Sequence, residues 1–123
     1  MKKITFIIVL ITSFFLNNIT AQENVPEDVL LNSLNSVNKL KLSNLKTKEL
    51  SDYNKTYVDK VYDILNSSKI EKDKKAALKV LKTDTDRDLY DLLGKKDYKK
   101  YQKLMEKELK PLIKRNKLLK YLV

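Results

Sequence analysis

The chain has 123 residues, no Cys, no His, no Trp and one Gly, and 26 basic against 16 acidic residues give it a net charge of +10. That length favours one domain. The composition excludes a disulfide framework, Cys- or His-based nucleophilic catalysis and Cys- or His-based zinc sites, and scarce Gly and Pro argue against turn-rich β folds.

The first segment reads as an address and not as fold. Lys2 and Lys3 precede an apolar run from Ile4 to Leu16, and a polar stretch then ends in the small residue Ala21. This is the pattern of a secretory signal peptide over residues 1–21, cleaved before Gln22. The run is short for a bilayer span, which usually takes about 20 apolar residues. Residues 22–123 then form a single helical domain. All three Phe residues fall in the leader, so the core of the remainder is built from Leu, Val, Ile and Tyr.

Residues 22–26 read as a short flexible lead-in. Pro26 can open a first helix, with Glu27 and Asp28 in its first turn and Leu30, Leu34 and Val37 at helical spacing. Asn32, Asn35 and Asn38 keep that helix short. Ser43 is a suitable cap for a second helix, whose stripe is Leu50, Tyr53, Tyr57, Val61 and Ile64. A third helix starts near Ile70, with Ala77 or Leu78, Leu81, Thr85, Leu89 and Leu92 on one face. Gly94 fits a left-handed position past its end. A fourth helix follows within two or three residues, striped by Tyr98, Tyr101, Met105, Leu109 and Leu112 and interrupted by Pro111. Ile113, Leu118, Leu119, Leu122 and Val123 predict a further helical segment that frays. Tyr62, Tyr90 and Tyr121 lie off the stripes or at their edges. The fourth stripe repeats the second at an offset of 48.

Charge is distributed unevenly. Residues 22–94 hold 13 basic and 13 acidic residues, whereas residues 95–123 hold 11 and 3. At about 100° per residue, Lys96, Lys99, Lys100, Lys103, Lys107, Lys110, Lys114 and Lys117 fall in a sector of roughly 100°, opposite the stripe with Tyr98, Tyr101 and Met105. Such a face, grouped with Tyr98, Tyr101 and Met105 as a candidate partner-binding surface, suits acidic partners: unfolded acidic chains or anionic headgroups. It also describes an ordinary solvated helix face. Nucleic acid is disfavoured by export and by the near absence of Arg. Asp84-Thr85-Asp86-Arg87-Asp88 resembles the start of a calcium loop, but the turn glycine is replaced by Leu89 and the bidentate glutamate by Lys95. Pairing of Arg87 with Asp84 and with Asp91 is the better reading. No metal, cofactor or catalytic group is expected, and the chain reads as a non-enzyme.

Two segments resemble the repeats of the Spy/CpxP-like family of small periplasmic helical proteins, which carry a Leu-Thr-x-x-Gln motif at a helix start. The first is Leu42-Ser43-Asn44-Leu45-Lys46, followed by Leu50, Tyr53 and Tyr57. The second is Leu93-Gly94-Lys95-Lys96-Asp97, followed by Tyr98 and Tyr101 and preceded by Arg87-Asp88. Lys46 stands in place of Gln and Gly94 in place of Thr, and the register between the two copies is 51. The motif has a physical rationale, because a capping hydroxyl and a residue three later satisfy free amides at a helix start. The resemblance implies an all-α fold of about four helices in an elongated, curved, hairpin-like arrangement, often dimeric. It also implies ATP-independent holding of unfolded envelope proteins or a part in envelope-stress sensing, in the periplasm. The alternative is a basic amphipathic protein that docks on anionic lipid or polysaccharide.

Overall fold

The computed structural model describes residues 24–123, and every regular element in them is helical. The leader read at 1–21 lies outside the described residues. The α-helices are α1 (Glu27–Leu34), α2 (Asn44–Leu65), α3 (Glu71–Leu93), α4 (Lys95–Glu108) and α5 (Lys110–Arg115). Short 3₁₀ segments occupy Asn38–Leu40 and Lys117–Leu122. The described residues hold five α-helices, the last two divided at the interruption expected at Pro111, which has no N–H to carry the fourth helix onward. The backbone stays helical through Leu109, whose amide bonds to the Met105 carbonyl at 2.9 Å, and α5 opens with Pro111 in its first turn.

Local chemistry places the helix starts. Pro26 caps α1, with Glu27 and Asp28 in the first turn. Ser43 caps α2 as expected: its Oγ accepts from the Lys46 amide at 3.1 Å. Gly94 ends α3 and begins α4 without an intervening residue. Its φ of 83° and ψ of 161° are not left-handed helical. They lie in a region open essentially to Gly alone, which lets the chain turn sharply at one residue.

Helices α2 and α3 form a hairpin joined by residues 66–70; α1 packs against α2 and α4, and the C-terminal 3₁₀ segment packs against α3 and α5. Lysines lock the hairpin from both ends. Lys46, in the first turn of α2, donates to the Leu92 carbonyl at the end of α3, and Lys74, in the first turn of α3, donates to the Leu65 carbonyl at the end of α2, each at 2.7 Å. A cation at a helix C-terminus satisfies free carbonyls and opposes the negative end of the dipole.

Each α-helix and the C-terminal 3₁₀ segment contribute buried residues to one core. Leu30, Leu50, Leu78, Leu109, Leu119 and Val61 are fully buried. Three sequence expectations are corrected here. Val25 is 2 % exposed and accepts a hydrogen bond from the Tyr62 hydroxyl, so the described part of the lead-in, from residue 24, is docked at Val25. Tyr62, placed off the stripe, is buried as well. Residues 117–122 do not fray: Leu118, Leu119 and Leu122 are core, and only Val123 is exposed among the apolar residues of that end. No helix among the described residues is long and apolar enough to cross a membrane.

Candidate binding surface

The eight lysines fall on three elements and not on one helix. Lys96, Lys99, Lys100, Lys103 and Lys107 lie on α4, Lys110 and Lys114 on α5, and Lys117 on the 3₁₀ segment. All eight are exposed. The ion pairs among the described residues are Lys46–Glu49, Lys82–Asp86 and Arg87–Asp84, so none of the eight is neutralised by a carboxylate among the described residues. The apolar residues grouped with this face do not share it. Tyr101 and Met105 are 3 % and 4 % exposed and belong to the core, and Tyr98 is half-buried. The surface offered to solvent is therefore cationic without an apolar floor from these side chains.

Tyr98 stacks edge-on against Tyr90, with ring centres 5.7 Å apart, and its hydroxyl accepts from Gln102 at 2.7 Å. Arg87 pairs with Asp84 at 3.1 Å as expected, whereas the Arg87–Asp91 pair is not formed among the described residues. Tyr53 donates to Asp88 at 2.7 Å. No group of three or more carboxylates among the described residues is arranged to hold a metal ion.

The two motif-like segments meet in space. Lys46 of the first reaches the Leu92 carbonyl, next to Leu93-Gly94 of the second. Leu42 and Asp97 are partly buried, Ser43 caps α2, and Asp97 sits in the first turn of α4. Of the two possible repeat offsets, 51 is the one that aligns the helix starts Asn44 and Lys95. It also superposes buried on buried: Leu50, Asn54, Val58 and Val61 on Tyr101, Met105, Leu109 and Leu112. The offset of 48 came from counting apolar residues, which overlooks that buried Asn54 belongs to the inner face.

Asn54 anchors a polar cluster inside the bundle and is 0 % exposed. Its Nδ2 donates to Asn35 Oδ1 at 2.8 Å and reaches the Leu34 carbonyl and the Tyr101 hydroxyl at 3.3 Å each. The Tyr101 hydroxyl donates to the same Leu34 carbonyl at 2.8 Å. Residues from α2 and α4 thus cap the C-terminal end of α1, which has no basic residue in its last turn. Thr85 lies close enough to Tyr53 to affect its phenol, yet its Oγ makes no hydrogen bond with any protein atom.

Tyrosine ionisation follows this burial. Burial, then the hydrogen bond to Asp88, pushes Tyr53 up to about 12. Burial, then the Glu27 charge, does the same for Tyr62, and burial, then Asp86, for Tyr98, each up to about 12. Burial pushes Tyr57 and Tyr101 higher still. Tyr121 shifts the other way: desolvation opposes ionisation, but hydrogen bonding from Lys75 and the charges of Lys120 and Lys75 together outweigh it. The nitrogens of Lys75, Lys79 and Lys120 stand 5.4, 5.6 and 5.2 Å from the centre of its ring. A phenol whose folded pKa exceeds the unfolded value of about 10 stabilises the fold fully below that pH and ceases to do so as pH rises through the folded value. Stability is therefore expected to hold to about pH 10 and fall between 10 and 12. In an alkaline titration followed at 295 nm, Tyr121 should ionise first, and Tyr57 and Tyr101 only together with loss of the helical circular dichroism signal. Full ionisation of all seven tyrosines with the helical signal intact would contradict the burial of Tyr57 and Tyr101.

No family model, curated protein or solved structure matches the chain.

Proposed function

We propose that this protein is an exported, non-enzymatic helical binding protein, chaperone-like in the manner of the Spy/CpxP-like family. In this reading it works in the periplasm, as a monomer or homodimer, and holds acidic stretches of unfolded or partner envelope proteins. The observation that carries the reading is the row of eight exposed lysines on α4, α5 and the C-terminal segment, none of them paired to a carboxylate among the described residues. Evenly spaced like charges at helical i,i+4 positions slightly destabilise a helix, so a partner that neutralises them gains what the free protein lacks. The 51-residue register of helix starts and buried positions, with Lys46 bonded beside Leu93-Gly94, supports the likeness to a two-repeat helical scaffold. Burial of Tyr101 and Met105 directs the reading toward acidic segments rather than apolar ones.

The test uses an acidic, unfolded client whose aggregation is followed by light scattering, with the protein equimolar or in excess at low salt. Suppression that fades as salt is raised is expected. An exposed ion pair contributes about 0.5 kcal/mol, so neutralising Lys103, Lys107 and Lys110 to Gln should weaken client binding roughly tenfold. No suppression at low salt, or full suppression by the triple variant, would count against the reading. The rival, docking on anionic lipid or polysaccharide, predicts salt-sensitive co-sedimentation with anionic vesicles and no effect on the client. Without an apolar floor from Tyr101 and Met105, such docking would rest on charge.

A further inference from the structure

Among the described residues, three polar atoms in the interior have no hydrogen-bond partner: Asn54 Oδ1, the Tyr57 hydroxyl oxygen and Thr85 Oγ1. Their residues are 0 %, 4 % and 3 % exposed. They are not scattered. All three residues line one cavity of about 50 Å³ among α2, α3, α4 and the C-terminal 3₁₀ segment. Leu89 and Met105 supply apolar wall, and the more exposed side carries Gln102 and the Lys82–Asp86 ion pair. A buried polar group left dry is costly, and buried polar groups in folded proteins are paired with few exceptions. Three residues with orphaned atoms around one space, two of which also border a second hollow beside Tyr53 and Asp88, are therefore better explained by a guest than by three separate defects.

The chemistry of the walls defines that guest. Asn54 Oδ1 is only an acceptor, because the amide nitrogen is committed to Asn35, Leu34 and Tyr101. The Tyr57 and Thr85 hydroxyls can each donate and accept. None of the three orphan groups carries a formal charge to receive an ion, and of the charged side chains on the lining Lys82 and Asp86 neutralise each other and Glu106 is exposed, so the interior favours a neutral guest. The volume is several times the minimum that one water needs, and it limits a solute to a few heavy atoms.

We propose that this cavity is a binding site for a small neutral molecule bearing an O–H, which donates to Asn54 Oδ1 and exchanges hydrogen bonds with the Tyr57 and Thr85 hydroxyls. Water and a short alcohol present the same group; the alcohol adds an apolar end that Leu89 and Met105 can cover.

The test uses the full chain. Water-selective nuclear Overhauser spectra should show a long-lived contact to the Tyr57 and Thr85 side chains. A titration with ¹³C-ethanol should then decide the source. Saturable contacts from ethanol to the Met105 methyl, with loss of the water contact, assign the site to the solute. A water contact that ethanol leaves unchanged assigns it to water. Absence of both overturns the proposal. Thermal melts of Tyr57→Phe and Thr85→Val give an independent reading, because each change removes a hydroxyl while nearly keeping its volume. A guest bonded to those hydroxyls predicts a lower Tm for both variants. An unchanged or higher Tm for both, the response of a dry cavity, would overturn it.

Discussion

A chain ending at Asn116 is expected to be largely unfolded at 25 °C. The seven residues removed look dispensable in the sequence, being a lysine-containing end after a helix-breaking proline. In the fold they carry Leu118, Leu119 and Leu122, at 8 %, 0 % and 5 % exposure, packed against α3 and α5. Burying a leucine contributes about 1.5–3 kcal/mol, so the three together supply roughly 5–9 kcal/mol. Small domains hold only about 5–15 kcal/mol in total. Deletion would also strip cover from α3, against which the segment packs. Far-UV circular dichroism and a urea melt measure the outcome: little helix and no cooperative transition. A truncated protein that unfolds cooperatively with more than half the parent stability would show that the segment docks only marginally. The gentler variant Leu119→Ala should lose about 2–5 kcal/mol and remain folded if the parent has stability to spare.

Asn54→Asp should cost about 3–5 kcal/mol at pH 7, although it changes a single atom type on a side chain of the same shape. The substitution replaces the Nδ2 donor by an oxygen. That oxygen then faces the Asn35 Oδ1 and the Leu34 carbonyl, both acceptors, at a position with 0 % exposure. The Tyr101 hydroxyl can turn toward the new carboxylate only by leaving the Leu34 carbonyl, which it now caps. Burial raises the folded pKa of the introduced carboxyl above its unfolded value of about 4. The penalty is therefore complete above the raised value, shrinks as pH falls, and is gone below about pH 4, leaving only the lost hydrogen bonds. Urea melts of parent and variant at pH 7 and pH 4.5 check both parts. Equal stability at pH 7 would mean that position 54 is wet; an equal deficit at both pH values would mean that the loss is not electrostatic.

Much of the helical layout was legible because its signals are local. Ser43 as a cap, Pro111 as an interruption and Gly94 as a one-residue boundary act through backbone groups a few positions away. The stripes of α3 and α4 were likewise readable, since helical spacing alone sends Leu78, Thr85 and Leu89, or Tyr101, Met105 and Leu109, to one face. Asn54 escaped notice because an asparagine among apolar residues reads as a break in the stripe. Its burial is favourable only because Leu34, Asn35 and Tyr101, distant in sequence, supply partners. Lys46 and Lys74 escaped for the same reason. Each looks like one lysine among many, and only antiparallel packing of α2 on α3 brings it to the end of the other helix.

By itself, then, the sequence determined an all-α chain, its helix boundaries to within a few residues and the concentration of positive charge after Gly94, since capping, periodicity and composition need no long-range partner. Only the tertiary structure decided how far the Tyr98, Tyr101 and Met105 stripe is covered, that the last residues are core, and that Asn54, Tyr57 and Thr85, each with an orphaned polar atom, line one cavity. Those outcomes depend on which faces meet. A helical stripe is wider than the side chains it can hide, and the neighbouring helix selects which of them are covered.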